Sequence, residues 1–88
     1  MNHRTTAKFW KRYHVLPETV QRLADKNFQL LKADPLHPSM HFKQITGREG
    51  LWAARVGEHF RVLATQDGDD LYWFWIGSHA EYDRIISQ

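Results

Sequence analysis

Cysteine is absent from all 88 residues. No disulfide can therefore staple the chain, and no thiolate can ligate a metal. A reducing compartment is allowed, and a cytoplasmic location is the expectation. No stretch approaches the ~18 consecutive apolar residues that a membrane-spanning helix needs, so no membrane partner is expected. The opening MNHRTTAKFWKRYH holds no apolar run of signal-peptide length. Internal repeats and low-complexity tracts are missing, as are a phosphate-binding glycine loop, a GxSxG elbow and a dinucleotide fingerprint. Six histidines occur, at His3, His14, His37, His41, His59 and His79. None forms an i, i+4 ligand pair on a helix with an accompanying carboxylate, so neither a metal nor a small-molecule cofactor is expected.

What is present is a modest core built from large side chains. Hydrophobic residues make up 42% and aromatics 14%, with four tryptophans, which excludes general disorder. The length suits one domain over residues 1–88. Net charge is +2 and the pI about 9.2. That bias fits a nucleic acid and an acidic protein partner equally well.

Along the chain, Met1–Thr6 is polar, with room for a very short edge strand. Thr5 or Thr6 can cap a helix in which Phe9, Trp10, Tyr13 and Leu16 share one face. Lys8, Lys11 and Arg12 lie on the other side, as a solvated face or an RNA contact. Pro17 suits the first position of a second helix. In it, Val20, Leu23, Ala24, Phe28 and Leu31 recur at spacings of three and four as far as about Ala33. Asp34-Pro35 ends it. The apolar side of this helical hairpin needs a sheet to lie on.

Met40–Ile45 alternates and predicts a short strand, with Met40, Phe42 and Ile45 toward the core and His41 and Lys43 outward. A three-residue turn at Gly57-Glu58-His59 pairs Val56 with Phe60. One face then carries Trp52, Ala54, Val56, Phe60, Val62 and Ala64. The other carries Leu51, Ala53, Arg55, Arg61, Leu63 and Thr65. Slipping the register by one would bury guanidinium among Phe60 and Val62, which is costly. Arg55 and Arg61 are therefore expected opposite one another. After a turn at Asp67-Gly68-Asp69, Leu71–Ile76 reads as a central strand, with Trp73 and Trp75 on one face. Those two rings suit a core, an interface or a stacking platform for bases. Ser78 can cap a short closing helix. The predicted fold class is α+β: an N-terminal helical hairpin on a small three- to four-stranded antiparallel sheet, with a short C-terminal helix.

Arg55, Arg61, His79 and Tyr82 then converge beside the sheet, with His41 and His59 as further contributors to the groove. Paired guanidiniums match phosphate oxygens, imidazole exchanges protons near neutral pH, and a phenol stacks on bases or donates a hydrogen bond. The set suits RNA cleavage by the RNA's own 2′-hydroxyl. The alternative is that the arginines make structural ion pairs with Glu58, Glu81 or Asp83.

The pattern FW…LP…F.LLK.DP.HPS..FK.I, followed by RVGEHFRV over Arg55–Val62 and WFWIGSHAEYDR over Trp73–Arg84, resembles the RelE/ParE superfamily of toxins from bacterial type II toxin–antitoxin systems. The resemblance runs from about Arg4 to Ile86. It implies a helical hairpin on a small antiparallel sheet and a cognate acidic antitoxin. RelE-like members cut mRNA on the ribosome without metal, whereas ParE-like members inhibit DNA gyrase. An inactive member that only binds an antitoxin is a third possibility. The histidine after the last strand is similar to that of the YafQ-like toxins. On this resemblance the catalytic residues are Arg61, His79 and Tyr82, and the RNA-binding residues are Lys43 and Arg55, to which His41 and His59 are added from their place beside the groove. The partners are the ribosome and mRNA. The middle strand departs from some members in carrying no acidic or histidine base. Glu58 and His59 are the nearest substitutes.

Overall fold

Two glycines at positive φ fold the centre of the sheet. Gly57, at +63°, opens the turn that joins β3 (Leu51–Val56) to β4 (Phe60–Asp67). Gly68, at +60°, is the first residue of the two-residue loop between β4 and β5 (Asp70–Ser78). A glycine in that position is what a tight hairpin of matching twist requires. The computed structural model describes residues 1–87. Its β3–β4 register is the expected one, with Val56 opposite Phe60 and Arg55 opposite Arg61.

The sheet has more strands than expected. Five strands lie in the order β1-β5-β4-β3-β2, where β1 is Asn2–Thr5 and β2 is Lys43–Gln44. It is also mixed rather than antiparallel, because β1 runs parallel to β5. β1 is polar and has no apolar alternation. It is held through its backbone, with Asn2 N–H donating to the Asp69 carbonyl (2.7 Å) and Thr6 N–H to that of Trp73 (3.1 Å). The His3 ring fastens it further. Its Nδ1 accepts from Trp73 Nε1 at 3.1 Å, and it meets the Phe28 ring edge-on.

α1 (Ala7–Tyr13) starts at Thr6, whose hydroxyl accepts from Phe9 N–H. α2 (Glu18–Ala33) follows, with Pro17 one residue outside it at the N-cap. β2 is shorter than the expected Met40–Ile45 strand. Pro38–Met40 forms a 3₁₀ turn and His41 takes a left-handed φ of 44°, so pairing begins only at Lys43. Ile45 packs on the face opposite Met40.

One face of the sheet lies under the helices. Ala54, Val56, Val62, Ala64, Leu71, Trp73 and Ile76 pack there with Phe9, Ala24, Leu31 and Met40. α3 (His79–Ile86) covers part of the other face, where Ile45, Ala53, Leu63, Trp75 and Tyr82 gather. Trp73 and Trp75 thus point to opposite faces, not to one. The cause is a register shift: Leu63 pairs with Trp75 but Ala64 with Trp73. Phe74 is left as the extra residue of a bulge, which resets the alternation. Both tryptophans are buried, so neither offers a stacking platform. No helix is long and apolar enough to cross a membrane among the described residues.

Candidate functional site

Alternation along β3 and β4 puts Arg55 and Arg61 on the α3 side of the sheet, directly opposite each other. Like charges in that relation disfavour folding. Burial, and then the Arg55 charge, lower the Arg61 pKa from its ordinary value. Arg61 Nη1 donates to the carbonyls of Phe60 (2.7 Å) and Glu58 (3.2 Å). Arg55 Nη1 lies 3.3 Å from His41 Nε2. A guanidinium only donates, so Nε2 of His41 is the acceptor in this contact. The buried Nε of Arg55 has no partner.

The carboxylates offered by the sequence as structural partners are engaged elsewhere. Glu58 faces His59 at 4.0 Å. Glu81 closes a capping box with Ser78 and takes a bond from Arg12 at 3.2 Å. Asp83 faces His79 at 2.9 Å. Among the described residues, neither Arg55 nor Arg61 has a carboxylate ion pair.

α3 brings the remaining groups. Ser78 caps it through Glu81 N–H, which fixes the direction in which the helix leaves β5. His79 is its first residue, and its N–H donates to the His59 carbonyl at 2.8 Å. One turn on, Tyr82 is buried against Ala53, Leu63 and Trp75. Burial raises its pKa, against the opposing pull of Arg61. The His79 and Tyr82 rings meet edge-on at 6.1 Å. Lys43, opposite Ala53, stands exposed on the same face. His41 joins the group through Arg55. Its left-handed backbone costs a non-glycine residue about 1–2 kcal/mol, strain of the kind that gathers at functional positions. The His59 ring is exposed on the turn, and only its carbonyl reaches His79. Among the described residues no three His, Cys, Asp or Glu side chains come together as a metal-ligand set.

Two residues have partners other than those the sequence suggests. Asp83, offered as an ion-pair partner of the arginines, pairs with His79 instead; its spacing of four from His79 on a capped helix was the available signal. Arg12, read as a solvated or RNA-contacting cation, is the other. It leaves the solvated side of α1, donates Nε to the Ile76 carbonyl at 2.9 Å and lies 5.1 Å from the centre of the Trp75 ring. It ties α1 to the base of α3 rather than standing free for RNA.

The family model of the ParE-like toxin domain matches residues 18–84. No curated protein matches. Among solved structures the chain is similar to the RelB–RelE antitoxin–toxin complex from Methanococcus jannaschii, with a TM-score of 0.71 and 17% identity over 92% of this chain and 96% of that one. It is also similar to YafQ from E. coli, with a TM-score of 0.70 and 14% identity over 92% of this chain and 96% of that one. A third is the YoeB/ParE toxin from Agrobacterium tumefaciens, at 0.66 and 16% over 90% and 99%. At these identities the likeness is one of fold.

Proposed function

The chain belongs to the ParE-like toxin family, and from that premise we propose that it is the toxin of a type II toxin–antitoxin system that cuts messenger RNA on the ribosome. One observation carries this reading. Two arginines stand opposite each other in the β3–β4 register, near enough for the Arg55 charge to lower the Arg61 pKa. Neither has a carboxylate ion pair among the described residues, and the His79 imidazole and the buried Tyr82 phenol are on the neighbouring helix. A pair of like charges held together in this way favours an anion, and their planar forks suit phosphate oxygens.

In the step, the RNA 2′-hydroxyl passes its proton to water and attacks the adjacent phosphorus. The P–O5′ bond breaks, leaving a 2′,3′-cyclic phosphate and a free 5′-hydroxyl. Arg55 and Arg61 neutralise the charge that grows on the non-bridging oxygens. His79, as imidazolium, protonates the departing O5′. Tyr82 contributes its phenol beside Arg61. His41 and Lys43 extend the basic surface along the RNA backbone. A proton-transferring group contributes roughly 10²–10⁴-fold and a charge-stabilising donor roughly 10²–10³-fold, so His79→Ala and Arg61→Ala should each restore growth to expressing cells. Mapping mRNA 5′ ends after induction tests the reading. Cleavage in phase with codons supports it, whereas intact mRNA with an induced DNA-damage response would favour gyrase inhibition.

The expected partner is an acidic antitoxin. The solved relatives include the RelB–RelE complex and the DinJ–YafQ toxin–antitoxin complex from E. coli, and this chain's basic pI suits an acidic cover. Co-purification with the product of a neighbouring gene checks that pairing.

A further inference from the structure

The carboxylate beside His79 has a role that the arginine pair does not supply. His79 Nδ1 and Asp83 Oδ2 are 2.9 Å apart on one face of α3, four residues from each other. An ionised carboxylate can only accept. The hydrogen between them therefore sits on Nδ1, and the mobile proton of the ring is left to Nε2. We infer that Asp83 is a positioning residue that holds His79 in this tautomer and makes Nε2 the atom that hands a proton to the leaving oxygen.

This rests on the nuclease reading above and deepens it. Two features support it beyond the distance. The His79 backbone N–H is anchored on the His59 carbonyl, so the ring starts from a fixed base. Asp83 also bears on the neighbouring groups, opposing the fall in Arg61 pKa and adding to the rise in Tyr82 pKa. One carboxylate thus serves the imidazole, the guanidinium and the phenol together. The charged and titratable groups around His79 are Asp83 and Tyr82 of α3, Arg61 of β4, and the turn that carries Glu58 and His59.

In the reaction, imidazolium Nε2–H gives its proton to O5′ as the P–O5′ bond breaks. The ring becomes neutral and keeps Nδ1–H on Asp83. Replacing the carboxylate by an amide lets the side-chain NH₂ donate to Nδ1, which drives the remaining hydrogen onto Nε2 of the neutral ring. The pair is about half exposed, with side chains 47% and 56% accessible. The effect should therefore be smaller than the ~10⁴-fold loss in a buried triad.

The test uses the purified full chain, its Asp83→Asn variant and its Asp83→Glu variant. Nitrogen NMR of the His79 ring reports the tautomer, and cleavage of a defined mRNA on programmed ribosomes reports the chemistry. The expected result is Nδ1–H in the wild type and Nε2–H in Asp83→Asn. Cleavage should fall roughly 10- to 100-fold in kcat with KM little changed, its pH profile should move with the imidazole, and Asp83→Glu should restore part of the rate. A wild-type ring protonated on Nε2 would overturn the inference, as would an Asp83→Asn enzyme with wild-type kcat and pH profile. If the wild type shows Nδ1–H but cuts no mRNA, the nuclease reading falls while the Asp83-held tautomer stands.

Discussion

The two faces of the sheet are built to different rules. The face under α1 and α2 is filled by small and branched residues around Trp73, with Ala54, Ala64, Leu71 and Ile76 almost wholly buried. Among the described residues no charged side chain is buried there. The face under α3 has its own apolar centre around Leu63 and Trp75, but two guanidiniums stand at its margin. Alternation makes this possible. β3 and β4 supply the first face with apolar packing, and the second with Ala53 and Leu63 together with the two arginines of the proposed site. Stability and activity should therefore respond to different substitutions on the same strand.

The sharpest separation comes from truncating each face in turn. Leu71→Ala on the helix-covered face should lose about 2–5 kcal/mol in urea unfolding, because the packed surroundings cannot collapse into the space. Arg61→Ala on the other face should abolish cleavage while unfolding within about 0.5 kcal/mol of wild type, since like-charge repulsion is relieved as bonds to two carbonyls are lost. A large loss of stability in Arg61→Ala would break the comparison.

Gly77 sharpens it at the boundary. A Cβ at that position would lie 2.5 Å from the Trp75 ring and 3.1 Å from Arg12 Nη2. Gly77→Ala should cost about 1–3 kcal/mol through overpacking, and cleavage should fall with it because the ring and Arg12 both brace the start of α3. Thermal unfolding and the ribosome assay, run in parallel, check both.

His41→Gly should divide the two properties in the opposite sense. Removing the side chain relieves the left-handed strain, so stability should hold or rise by up to about 1 kcal/mol. Affinity for RNA should weaken, because Arg55 loses the imidazole that holds it. Fluorescence anisotropy with a short labelled RNA would register the loss.

The smallest effect concerns pH. The His3 pKa is lowered from 6.5 by burial first, then by the N-terminal charge and Lys32. The neutral ring is the one that accepts from Trp73, beside Phe28. The unfolded chain therefore takes up the proton before the native one does. Stability should be fully present above pH 6.5 and decline as pH falls from there toward the lowered native value. His3→Gln should flatten that part of the unfolding curve.

These contrasts also explain what could be read in advance. The β3–β4 register was legible because only one pairing keeps Arg55 and Arg61 out of the core. α2 was legible from its apolar spacing, and α3 from Ser78. The aromatic run Trp73-Phe74-Trp75 was not, since every residue suits either face and nothing local marks the bulge. β1 was not readable as a parallel strand either. Its bonds go to the backbone of residues about seventy positions away, and Asn-His-Arg-Thr has no pattern that announces them. Of the candidate site, the residues on strands followed from alternation. The roles of Asp83 and Arg12 depended on how α3 and α1 meet the end of β5, which no single stretch encodes.

The parallel seam between β1 and β5 also imposes an order of events during synthesis. Asn2–Thr5 emerge early, yet their docking edge at residues 70–73 is translated almost last. The nascent chain must carry that segment idle while nearer elements form, since distant contacts close late. A half-made chain therefore cannot assume the finished shape, and the outer edge of the sheet closes only once β5 is available.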